Sequence, residues 1–311
     1  MSINKLRRFV YDAIRQRAEA GLEKPTADLY ADKQHCHFAD YRDNLLAKMS
    51  PKVYDAFAKG SGNELQGKMA AVYSSSAMTF NIFGNGPVEV KKNTCGWPVG
   101  EYTLQYERQL PVLKRGGKAN LDAQLIDGKK IIFFEMKMQE WLFYKPSRLV
   151  RAYLHDEARY YNREMFSVVK KLIKEIMNKS ASDDKSYSCR YKHFDAFQII
   201  KHIIGIYNGV AGKKDEFAKA KKITLVVGDW TIPTSVVKDM PADLQKIYKD
   251  IELEMQKETA DFQKRLSDIQ AMFTAKNVSF SVEFRTVKEI LSCLGKEKDK
   301  AGKRYLQGIR M

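Results

Sequence analysis

Two apolar runs joined by an Asp-Gly turn constrain this chain more than any other feature. Residues 119–126 read ANLDAQLI and residues 130–137 read KIIFFEMK, with Asp127-Gly128 between them. Asp-Gly between apolar runs is among the strongest short-range signals for a hairpin. The two runs are therefore expected to pair as antiparallel strands. The second is apolar enough for a buried strand, yet it ends on Glu135 and Lys137. These stand two apart and share one face.

The register decides what joins them there. A two-residue loop at Asp127-Gly128 pairs Ile126 with Lys129 and makes Glu135 a diagonal neighbour of Asp122. A four-residue loop at 127–130 pairs Ile126 with Ile131 and sets Asp122 directly opposite Glu135. Either even loop puts Asp122, Glu135 and Lys137 on one face, whereas a three-residue loop separates the two acids. Neighbouring carboxylates raise each other's pKa unless a cation joins them. Mg²⁺ suits such a pair, because it takes carboxylate and carbonyl oxygens while keeping waters and substrate phosphate oxygens. Mn²⁺ can stand in for it. Such an ion activates water and stabilises charge on a phosphoryl oxygen. Lys137 is placed to hold the attacking water or to neutralise the phosphate in the transition state. That chemistry is phosphodiester hydrolysis. The same residues also read as a plain ion pair, Glu135 with Lys137, at the end of a core strand.

Charge supplies a matching substrate. Lys and Arg number 54 against 38 Asp and Glu, a formal net charge of +16. Such an excess attracts polyanions, nucleic acid first among them, with an anionic membrane surface as the rival. The 311 residues, 44% hydrophobic and 11% aromatic, suit a single folded domain with a sizeable core. No window has the apolar length of a membrane span, and the N-terminal stretch lacks a signal-peptide core. A cytoplasmic location is expected. Cys36, Cys95, Cys189 and Cys293 are far apart, so free thiols are expected rather than a disulfide framework. The string His35-Cys36-His37 has no second cluster to complete a zinc site.

Along the chain, residues 1–70 read as a mainly helical N-terminal region and residues 100–235 as the core. Residues 101–110 fit either a helix or a strand. A helix is expected from an N-cap at Ser147 to about Asn178, then a polar loop over 180–188. An apolar helix follows over 194–209, then a buried strand over 221–230 and another over 278–284. Residues 241–275 read as one long helix. Its stripe of Leu244, Tyr248, Ile251, Met255, Phe262, Leu266, Ile269 and Phe273 has near-heptad spacing. That stripe suits a homodimer seam or one side of an internal bundle. The lysine-rich segment from Gly295 reads as a solvated tail. The order of elements argues a mixed α/β domain with helical additions. "GIYNGVAGKK" lacks P-loop spacing, and "FGNGPVEV" is no dinucleotide fingerprint.

Asp122 followed by Glu135-Met136-Lys137 resembles the PD-(D/E)XK nuclease superfamily, with Asn-Leu-Asp where Pro-Asp would stand. The segments SSSAMTFNIFGNG (74–86), LQYERQLP (104–111), KANLDAQL (118–125) and FFEMKMQEW (133–141) together look like one prokaryotic restriction-endonuclease-like family. The resemblance covers about residues 59–145 well. It implies a mixed β-sheet flanked by helices, with the long 241–275 helix as an addition. It implies a Mg²⁺-dependent endonuclease acting on DNA. Asp122 and Glu135 would be metal ligands, the Met136 carbonyl a third and Lys137 the catalytic lysine. Glu107 would match the acid that many such nucleases carry on their first core helix, at a second metal or a ligand water. Glu140 would anchor Lys137 or a metal-bound water, and Gln198 would face the site from the following helix.

Other polar residues have simpler readings. His202 and Trp141 read as core residues. Arg148, Arg151, Lys170 and Lys171 are candidate phosphate contacts on what is otherwise a solvated helix face. Two rival functions remain: a non-catalytic nucleic-acid-binding protein on the same fold, and a basic assembly protein working through the long helix.

Overall fold

The structure is a computed structural model. It describes residues 2–20, 22, 29–32, 36–60, 63–143, 148–181, 183 and 185–307. The strands are β1 (Val88–Val90), β2 (Gly100–Pro111), β3 (Lys118–Asp127), β4 (Lys130–Lys137), β5 (Leu149–Val150), β6 (Met177–Asn178), β7 (Ser186–Cys189), β8 (Lys222–Asp229) and β9 (Ser279–Thr286). The first helices are α1 (Ser2–Glu19), α2 (Pro51–Lys59), α3 (Ser75–Phe83), α4 (Glu140–Phe143), α5 (Ala152–His155) and α6 (Arg163–Ile176). The rest are α7 (Ala196–Gly212), α8 (Thr234–Asp239), α9 (Ala242–Lys264), α10 (Ser267–Thr274), α11 (Val287–Cys293) and α12 (Lys300–Leu306).

The main sheet has six strands in the order β1-β2-β3-β4-β8-β9. Its first four strands are antiparallel neighbours, while β4, β8 and β9 run parallel. Parallel neighbours need long crossovers, and α7 and α9 lie in the two that are required here. This is a mixed α/β fold of the restriction-endonuclease-like kind. The sheet extends past residues 100–235, since β1 and β9 close its edges.

Alternation along β4 sends side chains to opposite faces. Phe134 meets Phe83 of α3 and Trp97, with ring centroids 4.8 and 5.4 Å away. Phe133 stacks on Phe217 at 5.9 Å on the other face, where α7 packs. That helix buries Phe197, Ile199, Ile200, Ile203, Ile204 and Ile206, as expected of a helix apolar nearly all round.

The hairpin pairs Ile126 with Ile131 and Asp127 with Lys130, so it turns on Gly128 and Lys129. Gly128 takes a φ of +53°, which only glycine adopts without strain. Residues 101–110 are strand, in β2. Strand pairing in the hairpin ends at Ala123 with Phe134.

Several expectations need correction. The 241–275 helix is two helices. At Arg265 and Leu266 ψ opens to 0°, and Arg265 is held by Asp261 and Glu175. The bend turns Phe273 onto Phe280 of β9, with ring centroids 4.1 Å apart. The whole apolar stripe is buried within the chain, which takes it out of use as an open dimer seam. The expected 147–178 helix is β5, α5 and α6; Ser147 itself lies outside the described residues. A bridge between Leu113 and Tyr160 holds the chain extended between α5 and α6. The 180–188 loop carries most of β7. The apolar helix runs on to Gly212, with left-handed Lys213 as its cap.

The lysine-rich tail is also ordered. In α12, Ala301 and Tyr305 are buried, the Tyr305 carbonyl accepts from Trp230 Nε1 at 3.0 Å, and Arg304 donates to Asn44. Sequence pattern alone could not show these partners, which lie far away in the chain. Cys95 and Cys293 form a disulfide rather than free thiols, brought together where α11 packs beside the turn at 93–95. Cys36 and Cys189 are not part of a disulfide; His35 lies outside the described residues.

One buried carboxylate sets the approach to α7. Glu258 of α9 accepts the backbone N–H groups of Lys192, His193 and Phe194 at 2.6, 2.9 and 2.9 Å. These are the residues that lead into α7. Glu258→Ala would orphan three N–H groups and is expected to cost about 3 kcal/mol, read as a lower urea midpoint. Glu258→Gln keeps one acceptor oxygen and is expected to lose less. Equal midpoints for wild type and Glu258→Ala would refute this role.

Candidate active site

The hairpin stops pairing where its charges begin. Beyond Ala123 and Phe134, β3 continues beside β2 alone, and β4 continues beside β8. In the register of the hairpin the next positions are Asp122 and Glu135, which face each other across the opening. Met136 N–H donates to Asp122 Oδ2 at 2.6 Å, so a side chain takes the place of a strand carbonyl there. Met136 is held from the far side by Gly228, where an added Cβ would lie 2.4 Å from Met136 Sδ.

Glu135 is 3% exposed. Its Oε1 accepts from Lys137 Nζ at 2.6 Å and from Gln198 Nε2 at 2.8 Å, while Gln198 Oε1 accepts from Lys137 Nζ at 2.8 Å. Lys137, Glu135 and Gln198 thus close a triangle. His202, one helical turn beyond Gln198, brings Nε2 within 2.9 Å of Glu135 Oε2. Neither atom has a partner by hydrogen-bond geometry, and the contact is an ion pair only when the imidazole is protonated.

Electrostatics divides the acids. Burial alone would raise Glu135, but Lys137 and His202 outweigh it and bring its pKa down to about 2. Asp122 goes the other way. Burial, Glu135 and Glu107 push it well above the usual carboxylate range, against the pull of Lys137 and the Met136 N–H. Burial would lower Lys137, yet Glu135, Glu140 and Asp122 more than offset it and hold the ammonium charged.

The remaining predicted residues are placed as follows. Glu107 lies not on a helix but in the middle of β2, opposite Asp122. Its φ is +52°, a strained conformation for a glutamate, and pairing between β2 and β3 skips this one position. The irregularity redirects the strand: Tyr106 packs on Phe57 of α2, whereas Leu110 lies against Gly205 of α7 on the opposite face. Glu107 accepts from Asn120, and burial, with Glu64 and Glu135 adding, raises its pKa to about 7. Glu140 does not hydrogen-bond Lys137. Its Oε2 accepts from the N–H groups of Met138 and Gln139 at 2.7 and 2.9 Å, fixing the bend from β4 into α4. Trp141 is core, its Nε1 bonded to the Trp230 carbonyl. Arg148 and Arg151 hold Asp183, Lys171 pairs with Asp268 and Lys170 lies over Phe166.

Two residues near this cluster, Asp229 and Glu64, escaped the sequence reading, and a third, His202, was read as core without its place beside Glu135. Asp229 ends β8 beside Lys137, and burial raises its pKa to about 7. Its signal was present: like Glu135, it is an acid closing an apolar strand. His202 also had a signal, its spacing of four from Gln198. Glu64, which accepts from Ser76 Oγ at 2.7 Å, had none.

Asp122→Asn keeps an acceptor for Met136 N–H and removes a half-buried carboxylate beside two others. With EDTA present, it is expected to stabilise the fold by roughly 1–2 kcal/mol at pH 8. A carboxylate raised on folding loses stability as pH rises through its folded pKa, so the gain should shrink toward pH 4. Urea titrations at both pH values check this, and a less stable variant at pH 8 would refute it.

No curated protein and no solved structure matches the chain. Among protein families, the one described as restriction endonuclease associating with ARP matches residues 13–228. That span is more than half of the chain and holds the hairpin, Gln198 and His202. The chain belongs to this restriction endonuclease family.

Proposed function

We propose that the protein is a Mg²⁺-dependent endonuclease that hydrolyses phosphodiester bonds of DNA. The observation that carries the reading is the convergence of Asp122, Glu135 and Lys137 where β3 parts from β4. Family membership and the +16 net charge add to it.

Among the described residues no group of three or more His, Cys, Asp or Glu is arranged as a finished metal cage. The donor chemistry nonetheless fits a hard cation. Asp122 and Glu135 face each other, and the charge of Asp122 is disfavoured by burial, Glu135 and Glu107, which Lys137 and the Met136 N–H do not offset. Asp122, Glu135 and the Met136 carbonyl would hold Mg²⁺, or Mn²⁺ in its place, with Glu107 the ligand of a second ion or its water. When bound, the ion supplies an activated water and charge stabilisation at the phosphate.

The rest falls to the chain. Lys137, kept charged by its neighbours, presents a cation to the scissile phosphate. Gln198 fixes the directions of both Lys137 and Glu135, because it donates to one and accepts from the other. His202 holds the second oxygen of Glu135 and limits its rotation. Glu140 sets the backbone that follows Lys137.

Supercoiled plasmid incubated with the protein and Mg²⁺ is expected to be nicked or linearised, and EDTA to stop it. Glu135→Ala and Lys137→Ala should each lower the rate at least a hundredfold while DNA binding persists. Wild-type rates in both variants would sink the proposal. Salt-sensitive DNA binding without cleavage in any divalent metal would favour the non-catalytic alternative.

A further inference from the structure

Arg17, in the last turn of α1, is 5% exposed. Its Nε donates to the Gln307 carbonyl at 2.6 Å. Its Nη1 and Nη2 are buried, and neither has a hydrogen-bond partner among the described residues. Burial pulls its pKa down to about 10. An uncompensated guanidinium inside a protein is strongly unfavourable, and nothing in the proposed chemistry uses this one.

Its surroundings are basic. Arg17 lines a cavity of about 420 Å³ with Lys300, Lys303 and Arg304 of α12. Lys300 and Lys303 are exposed, and Arg304 is tied to Asn44. Among the described residues of this wall, Asp43 is the one acid against four cations. Leu45 and Leu46 give the same cavity an apolar side. The volume falls in the range of small-molecule sites. A guanidinium fork suits phosphate oxygens, and flexible ammonium groups add charge without fixed geometry.

We propose that this cavity binds the terminal phosphate monoester of a nucleotide, either free or at the end of a nucleic-acid strand. On binding, the Arg17 guanidinium turns its unpartnered N–H groups out to the phosphate beside Lys300 and Lys303, and the base rests against Leu45 and Leu46. None of these residues lies on β3, β4 or α7, so the site stands apart from the Asp122 and Glu135 cluster. It does not depend on the nuclease reading.

The test is calorimetric titration of the full chain in EDTA. The probes are deoxyadenosine 5′-monophosphate, inorganic phosphate, and a short single strand with a 5′-phosphate or a 5′-hydroxyl. Lys300→Ala/Lys303→Ala changes only exposed residues and is expected to weaken nucleotide binding at least tenfold with Tm unchanged. Arg17→Met is expected to raise the Tm of the unliganded protein and to abolish binding. Glu135→Ala should bind as wild type does. Mononucleotide binding as tight as that of the phosphorylated strand supports a free nucleotide. Preference for the phosphorylated strand over the mononucleotide and the hydroxyl strand supports a strand end. The proposal is overturned if neither nucleotide probe binds, if inorganic phosphate binds as tightly as they do, if the hydroxyl strand binds as tightly as the phosphorylated one, or if Lys300→Ala/Lys303→Ala binds undiminished.

Discussion

The parting of β3 from β4 is the constraint on which the site depends. A regular hairpin would have continued its ladder past Phe134 and filled the gap with backbone hydrogen bonds. Instead the Asp122 carboxylate takes the Met136 N–H, and the space beside it opens. The two strands stay in the sheet because each has another neighbour, β2 for β3 and β8 for β4. Unpaired backbone at a strand end is costly when buried. Here the Asp122 carboxylate meets that need.

The same geometry concentrates unfavourable terms at one place. Glu107 has a left-handed backbone, Asp122 is half-buried beside two like charges, and Glu135 is buried with a lysine and a histidine. Such a cluster persists only if the surrounding packing holds it. The parallel strands β4 and β8 and the nearly all-apolar α7 supply that rigidity. Glu258 adds to it by gripping the segment that enters α7. Strain at the centre and close packing around it are two sides of one design.

What could be read beforehand was local. The Asp-Gly turn, the alternation of β3 and the apolar runs of β4 and β8 are encoded in neighbouring residues, and they placed Asp122, Glu135 and Lys137 correctly on one side of the hairpin. Gln198 was reached through family resemblance, and it does meet Glu135 and Lys137. What escaped depends on distant partners. A left-handed Glu107 has no signature in LQYERQLP. The break at Arg265 depends on Glu175, which is 90 positions away. The tail from Gly295 reads as solvated until Asn44, Asn81 and Trp230 are seen to hold it.

That last feature bears on when the molecule can finish folding. Trp230 directly follows the strand that flanks Lys137, and its indole is satisfied by Tyr305 near the far end of the chain. β9 supplies the outer partner of β8 and is also made late. During synthesis on the ribosome, strands β1 to β4 emerge long before β9 and α12. The cluster at Asp122 and Glu135 then sits in a sheet with an open flank and an unsatisfied tryptophan. A site built this way is complete only once β9 and α12 have been made and docked.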